Sequence, residues 1–369
     1  MTRIYLIRAA EAEGELYHIA QGHCDSALTG RGRRQDEALK RRFETLPIDG
    51  VYTSDLYSAR ATAVGLAHQR GLTAVRREDL REINLGVWEG VSWGNLAYEE
   101  PRQFRNFQSA LQYWRVEGAE TAGQVQDRME HALLEIAGEN PDRAIAVVSH
   151  GFSIRLLLAR LLGISLQEAH TVPVGENTAV SVIEAEGRAL RLVSQNDAGH
   201  LESDAAYQSQ EMPRTQPDFN PEMCFYLLRW VEYGEIMAEA VECVWQEAGE
   251  ERPFNKETLL DDAGRLQTLV GYVEQTPAAF LQMGAMPGWI TLLCTHPGCR
   301  RAGLGTQLVG QAAMDARAKG ADCLRIALPQ KNPYVQFFLD CGFEEAGELP
   351  DGRRLLEKDL RLNPELLNA

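Results

Sequence analysis

The sequence predicts two α/β domains in series, and three observations carry that prediction. In the amino-terminal half, short apolar runs alternate with segments of helical composition. The middle, from Glu202 to Pro221, is dominated by Ser, Gln, Asp and Pro. The carboxy-terminal half resumes with strand-like runs and a glycine-rich turn at the head of a helix. Strands alternating with helices imply a mostly parallel sheet. At 369 residues the chain exceeds one ordinary core, so roughly two domains are expected.

Arg3–Ile7 is an apolar run of the kind a buried strand shows, and it feeds a loop. Gly32–Leu46 is rich in helix formers, and Gly50–Thr53 reads as a second strand ending at Ser54-Asp55. Ser58–Arg70 and Arg128–Ala137 read as helices, the latter stopped near Gly138 and Pro141. Ala144–Ser149 is continuously apolar, as a strand buried on both faces requires, and runs into His150-Gly151 and a helix through Leu162. Ala179–Ile183 and Ala189–Val193 close the half as paired strands with Gly187 in the turn. Pro213 and Pro217 break any helix in the middle stretch, which reads as a linker. The expected division is residues 1–203, a linker at 204–221, and residues 222–369.

The second domain is expected to begin near Met223, with an amphipathic helix over Tyr233–Glu247. Thr268–Glu274 and Ala278–Met283 read as strands joined over Thr276-Pro277, and Trp289–Thr295 as a third. A helix over Gly305–Lys319, a strand over Cys323–Leu328, a short helix over Tyr334–Asp340 and a strand over Arg354–Asp359 complete it.

Composition narrows the function. Acidic residues outnumber basic ones 53 to 37, a formal net charge of −16, which opposes nucleic acid and anionic lipid as general partners. The seven cysteines form no Cys-x-x-Cys pair, so reduced thiols are expected rather than a disulfide framework or structural zinc. No signal peptide opens the sequence, and no apolar run approaches the ~20 residues of a membrane helix. A cytoplasmic protein without a metal is the expectation.

The front half carries several separated motifs. Leu6-Ile7-Arg8-Ala9-Ala10-Glu11 follows the first strand. Gln21-Gly22-His23-Cys24-Asp25-Ser26-Ala27-Leu28-Thr29 precedes Gly32 and Gln35. Ser54-Asp55-Leu56 precedes Thr62-Ala63, and Leu80-Arg81-Glu82 precedes Gly86 and Trp88-Glu89-Gly90. Gly118-Ala119-Glu120-Thr121 and Ser149-His150-Gly151 follow. In this order the segments resemble the histidine phosphatase (phosphoglycerate mutase-like) superfamily over about residues 3–201. The resemblance implies a three-layer domain with a mostly parallel sheet.

It also implies a site for phosphoryl transfer. A histidine nitrogen attacks phosphorus, two arginines and a second histidine hold the equatorial oxygens, and a carboxylic acid protonates the leaving oxygen. Carried over, the first arginine is Arg8, the second histidine His150 and the acid Glu82. The nucleophile's position holds Ala9, whose methyl cannot attack phosphorus. The second arginine's position holds Ser58, and Arg60 lies on a different helix face. The asparagine and arginine that follow the family's first motif fall on Glu15 and His18, and Glu15 brings negative charge towards the site. A charged donor typically contributes ~1.5–3 kcal/mol, so one lost arginine weakens phosphate binding. The lost nucleophile removes covalent turnover, and an inactive, degenerate domain is expected. Its surviving polar residues either retain a phosphate or only hold the loops.

In the back half, Leu292-Leu293-Cys294-Thr295-His296-Pro297 is followed by Arg300-Arg301-Ala302-Gly303-Leu304-Gly305-Thr306 and a helix. Asn332-Pro333-Tyr334, Phe337-Phe338 and Cys341-Gly342-Phe343 lie downstream. These segments resemble the GNAT acyltransferases. The resemblance implies an α+β domain with a mixed sheet and acetyl-CoA as cosubstrate. Backbone N–H groups at the helix start, with Arg300 and Arg301, would receive the pyrophosphate, while Gly303 and Gly305 let the chain approach closely. The acyl carbonyl would lie beside Leu293, Cys294 and Thr295, and Asn332 would face the cofactor. The family's tyrosine, which protonates the departing thiolate, is replaced by Phe338. Tyr334 and Cys341 are candidate stand-ins, and Glu274 and His296 candidate bases, each equally a surface or packing residue.

The expected function is therefore acyl transfer from acetyl-CoA to a small-molecule or peptide amine, beside an inactive phosphatase-like domain. The acidic balance suits a cationic amine. The alternatives are a non-catalytic sensor of CoA or a phosphometabolite, and a residual phosphatase.

Overall fold

Strand β1 (Thr2–Arg8) sets the layering of the front half. Successive strand residues point to opposite faces. Ile4 and Leu6 pack with Met129, Leu133 and Ile136, while Tyr5 and Ile7 pack with Leu39, Phe43 and Ala63. The first set belongs to a layer of α6 (Ala122–Glu139) and α7 (Gly151–Leu161), the second to a layer of α2 (Gly30–Phe43) and α3 (Tyr57–Gln69). The structure, a computed structural model, describes residues 1–202, 228–232, 266–296, 299–300 and 302–363.

The six-stranded sheet between these layers runs β3-β2-β4-β1-β5-β6. Here β2 is Gly50–Ser54, β3 Ala74–Arg77, β4 Ala144–Ser149, β5 Val180–Glu186 and β6 Ala189–Asp197. The first four are parallel; β5 and β6 add an antiparallel hairpin beside β1, turned at Gly187 with φ 61°. This is the expected three-layer domain with a mostly parallel sheet. Parallel alignment delivers Arg8, Ser54 and Ser149 to one edge, with Arg8 directly opposite Ser149. Ligand sites of such sheets lie outside the carboxyl ends of the strands.

Four elements differ from the sequence reading, and for the three helices among them the cause is local. α6 starts at Ala122 rather than Arg128, because Thr121 and Gln124 form a reciprocal capping box that stabilises a further turn and a half. β3, α4 (Trp93–Glu99) and α5 (Pro101–Ser109) were not foreseen. α4 is capped by Ser92, and α5 carries Pro101 in its first turn. The last two helices hold an aromatic cluster in which Trp93 and Phe107 stack at 5.4 Å, with Trp88 and Trp114 buried beneath.

Among the described residues, the back half is a seven-stranded mixed sheet, ordered β12-β13-β11-β10-β9-β8-β7. In chain order its elements are β7 (Arg229–Glu232), β8 (Thr268–Val273), β9 (Thr276–Met283), β10 (Trp289–Thr295), α8 (Leu304–Ala318), β11 (Cys323–Leu328), α9 (Val335–Asp340), β12 (Glu344–Glu348) and β13 (Arg354–Asp359). Only β10 and β11 pair in parallel; every other neighbouring pair is antiparallel. The turn between β8 and β9 is at Glu274-Gln275, with Glu274 at φ 54°, so Thr276-Pro277 opens β9 instead of forming the turn. α8 buries Leu304, Leu308, Ala312 and Ala316 against Leu281, Ile290 and Leu324 of the sheet. Strands β7 and β12 were not foreseen. The linker, the start near Met223 and the Tyr233–Glu247 helix lie outside the described residues.

Removing the Thr121 side chain tests the added turns of α6. Thr121→Ala should cost about 1 kcal/mol, read as a lower urea midpoint with an unchanged slope.

Candidate functional site

The front candidate site lies where β1, β2 and β4 end. Arg8 donates from Nη1 to the Gly175 carbonyl at 2.5 Å and from Nη2 to Glu15 Oε1 at 3.0 Å. Asn177 holds the other Glu15 oxygen at 3.0 Å and also the Ala9 carbonyl at 3.2 Å. The guanidinium thus faces a carboxylate supplied by α1 (Glu13–Leu16). Ala9 is buried; its N–H bonds to the Ser149 carbonyl at 2.8 Å and its methyl joins the cluster of Ile7, Ala59 and Ala63.

His150 caps α7, with Nε2 2.8 Å from Ser54 Oγ. Burial pushes its pKa down to about 4, so the ring is neutral at neutral pH. Glu82 accepts from the backbone N–H groups of Ile83, Phe152 and Ser153 and from the Ser153 hydroxyl, all within 2.9 Å. Its carboxylate is therefore seated at the positive end of α7. Ser58 is buried on α3 and brings no charge. Arg60, on the same helix, lies in the field of Asp25 and Asp55. His18 follows α1 at φ 54°, and burial lowers its pKa to about 4.

The loops around this site are held by Glu89, which lies in a motif, and by Arg128, which does not. Glu89 accepts from the N–H groups of Gly22, His23 and Cys24. Arg128 pairs with Glu120 and donates to the carbonyls of Asp79, Arg81 and Glu82. The sequence reading did not single out Arg128; three carbonyl acceptors in one irregular segment are visible only in the fold.

The back candidate site is shaped by a strand leaving its neighbour. β10 pairs with β11 only at Trp289–Arg325 and Ile290–Ile326. From Leu292 onwards it stays with β9 alone, pairing Leu293 with Leu281, Cys294 with Phe280 and Thr295 with Ala279. The edge of β10 facing β11 therefore separates from it over the three residues expected to meet an acyl group. Glu274, at the β8–β9 turn, and His296, whose N–H bonds to the Ala278 carbonyl at 2.8 Å, lie at this end of the sheet.

Gly303 caps α8 in the left-handed region, φ 75°, and offers no side-chain cap hydrogen bond. The leading N–H groups of any helix lack intrahelical partners, so those of Leu304, Gly305 and Thr306 are the donors that an anionic oxygen would meet here. A Cβ at Gly305 would come 3.0 Å from the Phe337 ring. Ala302 packs on the core, and Arg300 lies over the Tyr334 ring at 5.9 Å. Arg301 lies outside the described residues. Asn332 Oδ1 accepts from the Tyr334 N–H at 2.8 Å, fixing the turn before α9.

Phe338 is buried between Phe337 and Phe343, with ring centroids 5.1 and 5.4 Å away. Cys341 is also buried, and burial pushes its thiol up to about 12. Tyr334 is the exposed hydroxyl of this segment. Among the described residues no group of three or more His, Cys, Asp or Glu could hold a metal ion, and no helix is long and apolar enough to cross a membrane.

Comparisons with known proteins agree with this two-part architecture. The family model for the histidine phosphatase superfamily (branch 1) matches residues 4–198, and that for the acetyltransferase (GNAT) family matches residues 225–343. Phosphoserine phosphatase 1 of Hydrogenobacter thermophilus is 27% identical over 201 residues, spanning 54% of this chain and 95% of that protein. A probable phosphoglycerate mutase, GpmB of Klebsiella pneumoniae, is 33% identical over 168 residues, spanning 44% of this chain and 76% of that protein. The solved structure of Bacillus stearothermophilus YhfR superposes with a TM-score of 0.53 at 28% identity, covering 54% of this chain and 99% of its own.

The His150 environment has a pH consequence. Its folded pKa, about 4, lies below the ordinary 6.5, so the unfolded chain binds the extra proton between these values. Its contribution is complete above pH 6.5 and should be lost as pH falls towards 4, a change on the order of 3 kcal/mol. Urea titrations across that range should show a steeper acid loss for the parent than for His150→Asn. Parallel curves would refute the assignment.

Proposed function

We propose, for a chain that belongs to the histidine phosphatase superfamily (branch 1) and carries a GNAT acetyltransferase domain behind that fold, that it transfers an acyl group from acetyl-CoA to an amine while its front domain performs no phosphoryl transfer. The GNAT domain supports the acyltransferase reading as a class. The observation that carries it to these residues is the pairing of the uncapped Gly303–Thr306 turn with the released edge of β10. The first supplies N–H groups for a diphosphate; the second offers backbone groups beside a thioester.

The amine nitrogen attacks the thioester carbon, forming a C–N bond as the C–S bond breaks. The nitrogen then loses one proton and the departing thiolate gains one. Alignment against β10 and polarisation of the carbonyl are the main requirements. Glu274, or His296 through water, is a candidate for taking the amine proton. Tyr334 is the candidate hydroxyl for the thiolate, since Phe338 has none and Cys341 is buried. A thiol is acidic enough to leave towards water, so the missing tyrosine lowers rate without removing the reaction. The net charge of −16 favours a cationic acceptor, small molecule or peptide.

For the front domain, four features support the loss of phosphatase chemistry: Ala9 in place of a nucleophile, Arg8 paired with Glu15, Ser58 without charge, and a neutral His150. Phe338 favours one second reading, a protein that senses CoA and transfers nothing.

Two measurements test this. Acetyl-CoA with a panel of amines should release free thiol, and Gly303→Glu, which sets a carboxylate against the diphosphate, should weaken CoA binding roughly 100-fold. Binding in the parent without thiol release on any amine would select the sensor reading. Secondly, p-nitrophenyl phosphate should not be hydrolysed, and Ala9→His alone should restore little. Ala9→His with Ser58→Arg and Glu15→Asn should do better, because the nucleophile then meets a vacant arginine pair.

A further inference from the structure

The front domain grips α8 along most of its length. At the carboxyl end, Glu13 of α1 pairs with Arg317 Nη2 at 2.6 Å and, through its other oxygen, with Lys358 Nζ of β13 at 2.8 Å. Glu13 is 3% exposed and Lys358 8%, so this is a buried ion pair flanked by Arg317, whose side chain is partly exposed. Burial opposes ionisation of Glu13, yet the two cations outweigh it and hold the carboxyl below its ordinary range. One turn beyond Glu13, Tyr17 lies against Gly310, where a Cβ would come 2.4 Å from the Tyr17 Cβ. Tyr17 and Ile19 belong to the same apolar cluster as Leu308, Val309 and Ala313 of α8. Gly90 approaches Met314, which a Cβ would meet at 3.2 Å. Nearer the head of α8, the Ser92 hydroxyl donates to the Leu228 carbonyl at 3.0 Å, while the Leu228 N–H donates to Gln307 Oε1, also at 3.0 Å.

A stand-alone domain would have no reason to bury Lys358 or to leave Gly310 bare. A buried ion pair that loses one partner leaves an uncompensated charge, and that is strongly destabilising. Glycine at mid-helix also costs helix stability relative to alanine, and here it admits a neighbouring side chain. Both features make sense only with the front domain seated.

We infer that the front domain is a structural half of the acyltransferase: α1 docks into its core, and Glu13 is the positioning residue that holds α8, so the anion-binding turn at the head of that helix forms only in the docked protein. The link to CoA rests on the reading under Proposed function; the docking itself does not.

The test uses the full chain, calorimetric melting and CoA titration. The parent should melt in one cooperative transition. Glu13→Gln should split off a transition about 10 °C lower and weaken CoA binding by about tenfold. Adding Lys358→Met to Glu13→Gln, which removes the stranded cation, should recover most of both losses. Tyr17→Phe should match the parent, because the buried Tyr17 hydroxyl has no hydrogen-bond partner. Gly310→Ala, which wedges the domains apart with every charge intact, should reproduce the split. Two independent transitions in the parent, or parental melting of both Glu13→Gln and Gly310→Ala, would overturn the inference. If the parent binds no CoA, the functional reading fails while the melting curves still decide the docking.

Discussion

The segment from Arg8 to Ile19 must satisfy two hydrophobic cores at once, and much of the molecule's organisation follows from that. Ala9 closes the front core beside β4, whereas Tyr17 and Ile19 enter the back core under α8. Between them, α1 turns Glu15 towards Arg8 and Glu13 towards Arg317 and Lys358. Two carboxylates of one short helical turn thus face cations belonging to different domains. Such a helix is too short to be stable alone; its conformation is imposed by the two surfaces it joins. A loop used in this way is poorly suited to the small displacements of a turnover cycle.

In the back domain the governing constraint is the divergence of β10 from β11. A sheet interior normally pairs both edges of every strand, because unpaired backbone groups are costly when buried. β10 keeps β9 and gives up β11 after Ile290. The register shift between Ile290 and Leu292 marks the point of departure. α8 starts beyond the end of that strand, with Gly303 turning the chain without covering the first N–H groups. Both features present main-chain groups rather than side chains.

Much of this was legible in the amino-acid order. The parallel strands announced themselves through runs such as Ala144–Ser149, and the two families through the motifs of each half. Errors arose where a local signal had two meanings. Pro277 suggested a turn, but Glu274 accepts the positive φ and Pro277 begins the edge of β9. The Thr121–Gln124 capping box adds the first turns of α6, which the later Arg128 start leaves out. Glu13 illustrates a different barrier. Its partner Arg317 is 304 positions away, and an acidic residue after a strand gives no sign of a cation in another domain.

The contact between Glu15 and Arg8 also bears on how this protein meets the phosphate esters around it. Glu15 is tethered a few residues from the guanidinium it occupies, so it acts as a rival ligand at an effective concentration of roughly millimolar or more. A phosphate ester arriving at Arg8 would have to displace that rival before it gained this contact.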